Sequence, residues 1–341
     1  MSNALFSNAK VVKITLELLK ENREWEKRYA GYAKDILKNE NKYREGSKLF
    51  KVKRPLYIYS SISKVKSKKL IYDLRFAGQS VGEIAVKDGD VTLKVGEKQS
   101  LYAFNNFEYS NKEGFSVEWK SPKAREYRRV FRERDDKKTH SKEHRIENWL
   151  LAEFGKGTRK KGKMLCNIQP VQLGGKFFQL TTPLSASNHV KLPGYMSERG
   201  GGIDILARVK HANFGRDNRF AVIELKDENK SEESQAMTLQ QSLAYATFLV
   251  CLLRSESGNC WWKILRNRDD GSDIPEELHI DVVTLMPGPD YLSQKGDLSD
   301  VKIDKMKAIL HPYTLYYEEG KDGLPKRFYG TLKEALVNQG E

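Results

Sequence analysis

The sequence predicts an α/β protein in two parts. An N-terminal helical segment with a small antiparallel β module comes first, and a longer half in which helices alternate with strands follows. Apolar residues recur at helical spacing up to about residue 49, the period changes to two from Lys51 to about Lys120, and beyond residue 141 the pattern alternates. Charge divides at nearly the same place. Residues 1–140 carry 32 Lys+Arg against 19 Asp+Glu, or +13, and residues 141–341 carry 28 against 27, or +1, which sum to the chain's +14. An excess on one half suits a chain in which one part docks on a polyanion and the other does chemistry.

At 341 residues, 39% apolar and 10% aromatic, the chain is long enough for two packed domains, and wholesale disorder is excluded. No stretch holds the roughly 18 unbroken apolar residues of a membrane helix, and the N-terminus lacks the apolar core of a secretory signal. A cytoplasmic location is expected. Cys166, Cys251 and Cys260 have no metal-ligand spacing, which fits a reducing compartment without disulfides.

Within residues 1–50, Val11, Ile14, Leu16, Leu18 and Leu19, then Trp25, Tyr29, Tyr32, Ile36 and Leu37, form one long or two shorter amphipathic helices. Their stripe is of the kind that packs a core or a homodimer contact. Residues 51–120 follow as a basic antiparallel β module for nucleic-acid or ligand binding, with strands at 56–59, 70–76, 81–86, 91–95 and 115–119. Asp88-Gly89 and Glu113-Gly114 supply turns between them. Lys51, Lys53, Arg54, Lys64, Lys66, Lys68 and Lys69 lie near Tyr57, Tyr59, Tyr72, Tyr102, Phe104, Phe107 and Tyr109. Such rings can stack bases, but most are expected to fill the small β core. Residues 121–140 read as a charged connector, a helix bearing Arg125, Arg128, Arg129 and Arg132 and then a polar linker, with the domain boundary there.

Residues 141–341 open with a helix at 141–154 whose stripe is Ile146, Trp149, Leu150 and Phe154. Glu143 and Glu147 stand four apart on one face beside that stripe. Two like charges there are costly unless one faces a cation. Strand candidates follow at 164–171, 177–180, 203–209, 219–226, 279–286 and 313–317. A helix at 234–254 carries Gln241 and Tyr245 one turn apart, and a short helix closes the chain at 331–337.

The candidate chemistry lies between Gly200 and Lys226. Glu224 and Lys226 share one face of a strand, and Asp204 lies on its hairpin partner. Two carboxylates suit a hard divalent ion, and Lys226 beside them can orient water or stabilise charge on a phosphate. Taken alone, the trio also reads as a surface salt bridge. His140 and His144 are four apart without a third ligand; His189, His211, His279 and His311 are isolated in sequence. Neither a Ser-His-Asp or Cys-His grouping nor a Gly-rich phosphate loop is present.

In order, a helix with Glu143-His144-Arg145-Ile146-Glu147, a strand in Gly-Gly-Ile-Asp204-Ile-Leu-Ala-Arg, a strand in Ala-Val-Ile-Glu224-Leu225-Lys226 and a helix with Gln241-x-x-x-Tyr245 resemble the PD-(D/E)XK nuclease superfamily. The likeness covers about residues 141–290 and is nearest to NucS-type mismatch endonucleases and related RecB-like and restriction-type enzymes. Gly202-Ile203 precede Asp204 where the family's proline stands. The resemblance implies a restriction-endonuclease-like core, a mixed β-sheet flanked by helices, as the catalytic domain. It implies that Asp204, Glu224 and the carbonyl of Leu225 hold Mg²⁺, with Mn²⁺ able to substitute, and that Glu143 or Glu147 completes the shell. Lys226 would position the attacking water, Gln241 would fix the geometry, and Tyr245 would contact the nucleic acid or close the site. Gly200, Gly201 and Gly202 would let a phosphate backbone approach. The expected activity is a Mg²⁺-dependent deoxyribonuclease in restriction, repair or phage defence. Alternatives are a catalytically silent or ligand-switched nucleic-acid-binding protein on the same fold, or a nuclease that cuts RNA.

Overall fold

A computed structural model of the chain describes residues 6–62, 65–66, 69–133, 141–158, 165–186, 192–197, 200–211, 219–228, 233–267, 271–288 and 294–337. Most of the segment between the expected strands at 203–209 and 219–226, the linker at 134–140, Lys64, Lys68 and His189 lie outside them. In chain order α1 (Asn8–Glu21), α2 (Glu24–Gly46), β1 (Leu56–Ser61), β2 (Val65–Lys66), β3 (Lys69–Phe76), β4 (Gln79–Lys87), β5 (Asp90–Val95), α3 (Glu97–Phe107), β6 (Phe115–Glu118) and α4 (Pro122–Arg132) come first. Then follow α5 (Lys142–Phe154), β7 (Ile168–Pro170), β8 (Gln172–Leu173), β9 (Lys176–Gln179), β10 (Leu184–Ser185), β11 (Gly194–Tyr195), β12 (Ile205–Val209) and β13 (Arg219–Leu225). The chain ends with α6 (Gln235–Arg254), α7 (Gly258–Arg266), β14 (Leu278–Pro287), β15 (Val301–Ile303), β16 (Ala308–Glu319), β17 (Pro325–Tyr329) and α8 (Thr331–Val337). This mixed α/β chain divides into two compact units, each discontinuous in sequence. The smaller takes residues 32–148 and 172–178, and the larger takes 1–31, 149–171 and 179–341.

In the smaller unit the strands run in the order β6-β5-β4-β3-β1-β9-β8, with β2 on β3. The β4–β5 hairpin turns on Asp88 (φ 50°) and Gly89 (φ 91°), the pair of positive dihedrals that a tight two-residue turn needs. Glu113-Gly114 does not form a simple hairpin turn, because α3 occupies the β5–β6 connection. That helix escaped a period-two reading, since only Ser100, Ala103 and Phe107 are buried along it. The aromatic residues divide by burial. Tyr59, Tyr72, Phe107 and Tyr109 fill the core, while Tyr57, Tyr102 and Phe104 are half-buried. The arginine-bearing stretch forms α4, capped by Ser121 with Pro122 in its first turn.

The sheet of the larger unit runs β15-β16-β14-β13-β12-β7, with β17 also on β16. β12 is antiparallel to β7 and β13, whereas β13, β14 and β16 are mutually parallel neighbours. A parallel β13–β14 pair requires a crossover, and α6 with α7 provides it; Cys260–Leu265 thus lies in a helix. By length and composition α6 could cross a bilayer, but 83% of its apolar window is buried in the unit. It packs on β13, β14 and α1, as a core helix does. The stripe of α1 (Val11, Val12, Leu19) is core as well. Trp25 and Tyr29 follow it edge-on to Phe248 of α6, with centroids 5.5 and 5.1 Å away. The three cysteines are unbridged.

Candidate functional site

The hairpin β12–β13 sets the first two members of the site. Ile205 pairs with Ile223, so one step further out Asp204 stands opposite Glu224. Strand alternation places Glu224 and Lys226 on that same face. α6 lies against it, held by Ser242 Oγ donating to Val222 O at 3.2 Å and Gln235 Nε2 to Thr284 Oγ1 at 3.3 Å. Helical spacing then aims Gln241 and Tyr245 at the carboxylates. The Gln241 amide donates to Glu224 Oε1. The Tyr245 hydroxyl is held well above its ordinary pKa by burial and then by the charges of Glu224 and Asp204.

Backbone contacts fix the carboxylate and the ammonium. Leu225 N–H donates to Asp204 Oδ2 at 2.9 Å, which ties the side chain of one strand to the end of the next. Lys226 N–H donates to Leu285 O at 3.0 Å, and Tyr317 Oη donates to Lys226 O at 3.5 Å. Lys226 Nζ lies 3.6 Å from Glu224 Oε1. With Glu224 1% and Lys226 7% exposed, this is a buried ion pair, where a surface bridge would have been bland. Five expected site residues, Asp204, Glu224, Lys226, Gln241 and Tyr245, thus meet within the larger unit.

The donor set fits a hard divalent cation. Two carboxylates and one ammonium, together a net charge of −1, gather largely out of water. Gln241 Oε1 is also buried, with no hydrogen-bond donor among the described residues. Carboxylate and amide oxygens are what Mg²⁺ and Mn²⁺ take.

Glu143 and Glu147 are both in the smaller unit. Glu143 is half-buried in the first turn of α5. Glu147 is 3% exposed and sits 3.4 Å from Tyr59 Oη, with His144 Nδ1 at 3.4 Å from its other oxygen. Tyr59 donates to the adjacent Asn148 Oδ1 at 2.6 Å and carries the Arg75 guanidinium 4.2 Å over its ring. Arg75 bonds Asp73 at 2.6 Å, and Ser80 bonds the second oxygen of Asp73, also at 2.6 Å. Glu147 is therefore a member of a polar network in the β module, and burial followed by its charge pushes the Tyr59 phenol up.

The glycine run has a packing reason. A Cβ on Gly200 would meet the backbone of Thr182 and Leu184, one on Gly201 the Tyr245 hydroxyl, and one on Gly202 the Gln179 side chain at 3.1 Å. These contacts, made inside the protein, give the glycines a packing reason beside the phosphate-approach reading.

Histidines that are isolated in sequence meet on the opposite face of the sheet. β14 and β16 pair so that Asp281 stands beside His311. His279 Nδ1 lies 2.9 Å from His311 Nε2, with the rings 8° from parallel. His311 Nδ1 is 3.0 Å from Asp300, and His279 Nε2 is 3.1 Å from Glu277. Beside them the fully buried Asp281 holds His211 Nε2 at 2.7 Å and Arg219 at 3.4 Å. No local spacing could reveal this cluster, since 32 positions separate the stacked rings.

Compared with protein-family models, curated proteins and solved structures, the chain matches none of them.

Proposed function

We propose that the protein is a metal-dependent nuclease that hydrolyses phosphodiester bonds in nucleic acid, DNA foremost, on a restriction-endonuclease-like core, in restriction, repair or phage defence. The observation that carries this reading is the buried convergence of Asp204, Glu224 and Lys226 under Gln241 and Tyr245 of α6. The sheet supports it, because β12 runs opposite to β7, β13, β14 and β16, with α6 against the Glu224 face. Asp204, Glu224 and the Leu225 carbonyl are the groups that would hold Mg²⁺ or Mn²⁺. When bound, such an ion supplies Lewis acidity at the phosphate and eases deprotonation of water.

The chain's own residues divide the remaining work. Leu225 N–H holds Asp204 in place, and Gln241 holds Glu224. Lys226, kept near the site by Glu224, has an ammonium that can donate to a phosphate oxygen or to the attacking water. Tyr245 keeps its proton at neutral pH, so it serves as a hydrogen-bonding group and not as a base.

The test is cleavage of plasmid, linear and single-stranded DNA and of RNA, with and without Mg²⁺ or Mn²⁺. The wild-type chain should cut only with the ion, and Glu224→Ala or Lys226→Ala should bind without cutting. Cleavage by either variant at the wild-type rate refutes the assignment. One observation favours a second reading, that of a silent or ligand-switched nucleic-acid-binding protein. Glu224 Oε1 is already engaged by Lys226 and Gln241, an arrangement that has to loosen before chemistry. That protein would bind nucleic acid and cut none of the four substrates.

A further inference from the structure

The smaller unit carries a cationic helix face that the reading of the carboxylate site does not use. α4 starts at its Ser121 cap and buries Ala124, Tyr127 and Phe131. Tyr127 Oη donates to Val81 O at 2.6 Å, and Phe131 packs on Phe76 and Phe107 with centroids 5.2 and 5.0 Å away. The helix is therefore held on its unit by three apolar anchors. Arg125, Arg128 and Arg132 lie beside those anchors at spacings of three and four, which places their Cβ atoms along one face at steps of about 5–6 Å.

Among the described residues, acids balance these arginines only in part. Arg129 pairs with Glu133 at 3.6 Å, both more than half exposed. Among the described residues Arg125, Arg128 and Arg132 have no carboxylate at ion-pair distance. Arg128 is stacked over Trp119 with 3.6 Å between its guanidinium and the ring and donates to Trp119 O at 2.8 Å. Its pKa is lowered to about 10 by burial and then by Arg132 and Arg125. The helix C-terminus accounts for cations in the last turn, where Arg129 and Arg132 lie, but not for Arg125. A row of guanidiniums that repel one another is a surface without an electrostatic complement among the described residues.

We infer that the Arg125–Arg128–Arg132 face of α4 grips the sugar-phosphate backbone of a nucleic acid. Guanidiniums on one helix face can meet successive phosphates, with Arg125 and Arg132 each able to take a bidentate contact. The exposed large apolar residues, Leu37, Leu49, Leu101 and Met196, are all outside α4, so the face lacks the apolar anchors of a membrane-binding helix. The choice of a phosphate polymer rests on the nuclease reading above; the charge pattern stands without it.

The experiment measures anisotropy of a short fluorescein-labelled duplex with the full chain in EDTA, across a salt series. Each lost phosphate contact should lower the salt slope by about 0.9, so Arg125→Gln/Arg132→Gln should lower it by about 2 and weaken binding roughly ten- to a hundredfold. Arg125→Lys/Arg132→Lys should keep the slope, which separates loss of charge from loss of fold. An unchanged slope in the Gln variant overturns the inference, as does binding to anionic phospholipid vesicles in preference to the duplex. Because EDTA removes the ion, binding is read apart from cleavage; a wild-type chain that binds through these arginines in EDTA, yet cuts none of the substrates once Mg²⁺ or Mn²⁺ is supplied, would sink the nuclease reading alone. Cleavage that persists with an unchanged slope in the Gln variant would sink the grip alone.

Discussion

The Glu224–Lys226 pair gives the most informative perturbation. At 3.6 Å the gross attraction is about 5 kcal/mol at an effective dielectric constant of about 20. Desolvation of the two ions offsets much of that, so the intact pair contributes little net stability. Removing one member is different, because the other remains buried, at about 3–5 kcal/mol. Lys226→Met should therefore lower the unfolding free energy by that amount, leaving Asp204 and Glu224 as two negative charges in place of a net −1. A divalent cation should then restore more stability to Lys226→Met than it adds to wild type. At about a hundredfold excess over its dissociation constant a bound ion contributes about 2.7 kcal/mol. Glu224→Gln should lose this gain, since Asp204 then faces Lys226 alone. Urea unfolding of the three proteins with and without Mn²⁺ reads all of these effects. If Mn²⁺ stabilises Glu224→Gln as much as wild type, the cation does not use these carboxylates, and the reasoning fails regardless of any cleavage result.

Three further outcomes follow from the same packing. Asp281→Ala leaves Arg219 and His211 buried without their carboxylate, and should cost about 3–5 kcal/mol in urea unfolding; a loss under about 1 kcal/mol would mean that the cluster is well hydrated. Gly201→Ala drives a methyl into the Tyr245 hydroxyl and should destabilise by about 1–3 kcal/mol. Part of that should return in Gly201→Ala/Tyr245→Phe, the rest remaining because the ring carbon Cζ also lies 2.9 Å from the added methyl; independence of the two changes would contradict the contact. His279 and His311 are both held below the ordinary imidazole value, first by burial and then by Arg219. As pH falls through about 6.5 the unfolded chain binds protons before the folded one, so their contribution is whole above that pH and declines below it. Unfolding midpoints at about pH 7.5 and 5.5 should diverge less in His279→Asn/His311→Asn than in wild type, and an equal divergence removes these residues as the source.

The hairpin trio was legible in the sequence for a local reason. Antiparallel strands joined by a short connection pair near neighbours, and period-two alternation decides which side chains share a face, so Asp204, Glu224 and Lys226 fall together from spacing alone. The 3.6-residue period likewise places Gln241 and Tyr245 on one face of α6. Other features lay beyond such reasoning. The α3 helix hides among polar residues with a narrow buried stripe, and the β8–β9 hairpin joins the sheet of the smaller unit from the middle of the second half of the chain.

By itself, then, the sequence determined which residues of the site share a strand or helix face, because dihedral preference and periodicity act over a few residues. Only the tertiary structure decided how deep they lie, turning a plausible surface bridge into a buried pair at 1% and 7% exposure. It also gave Gly201 its neighbour in Tyr245 and put Glu147 against Tyr59. The His279–His311 stack depends on it most plainly, since parallel pairing across a crossover sets which residues 32 positions apart will touch, and burial is a property of the whole packed unit.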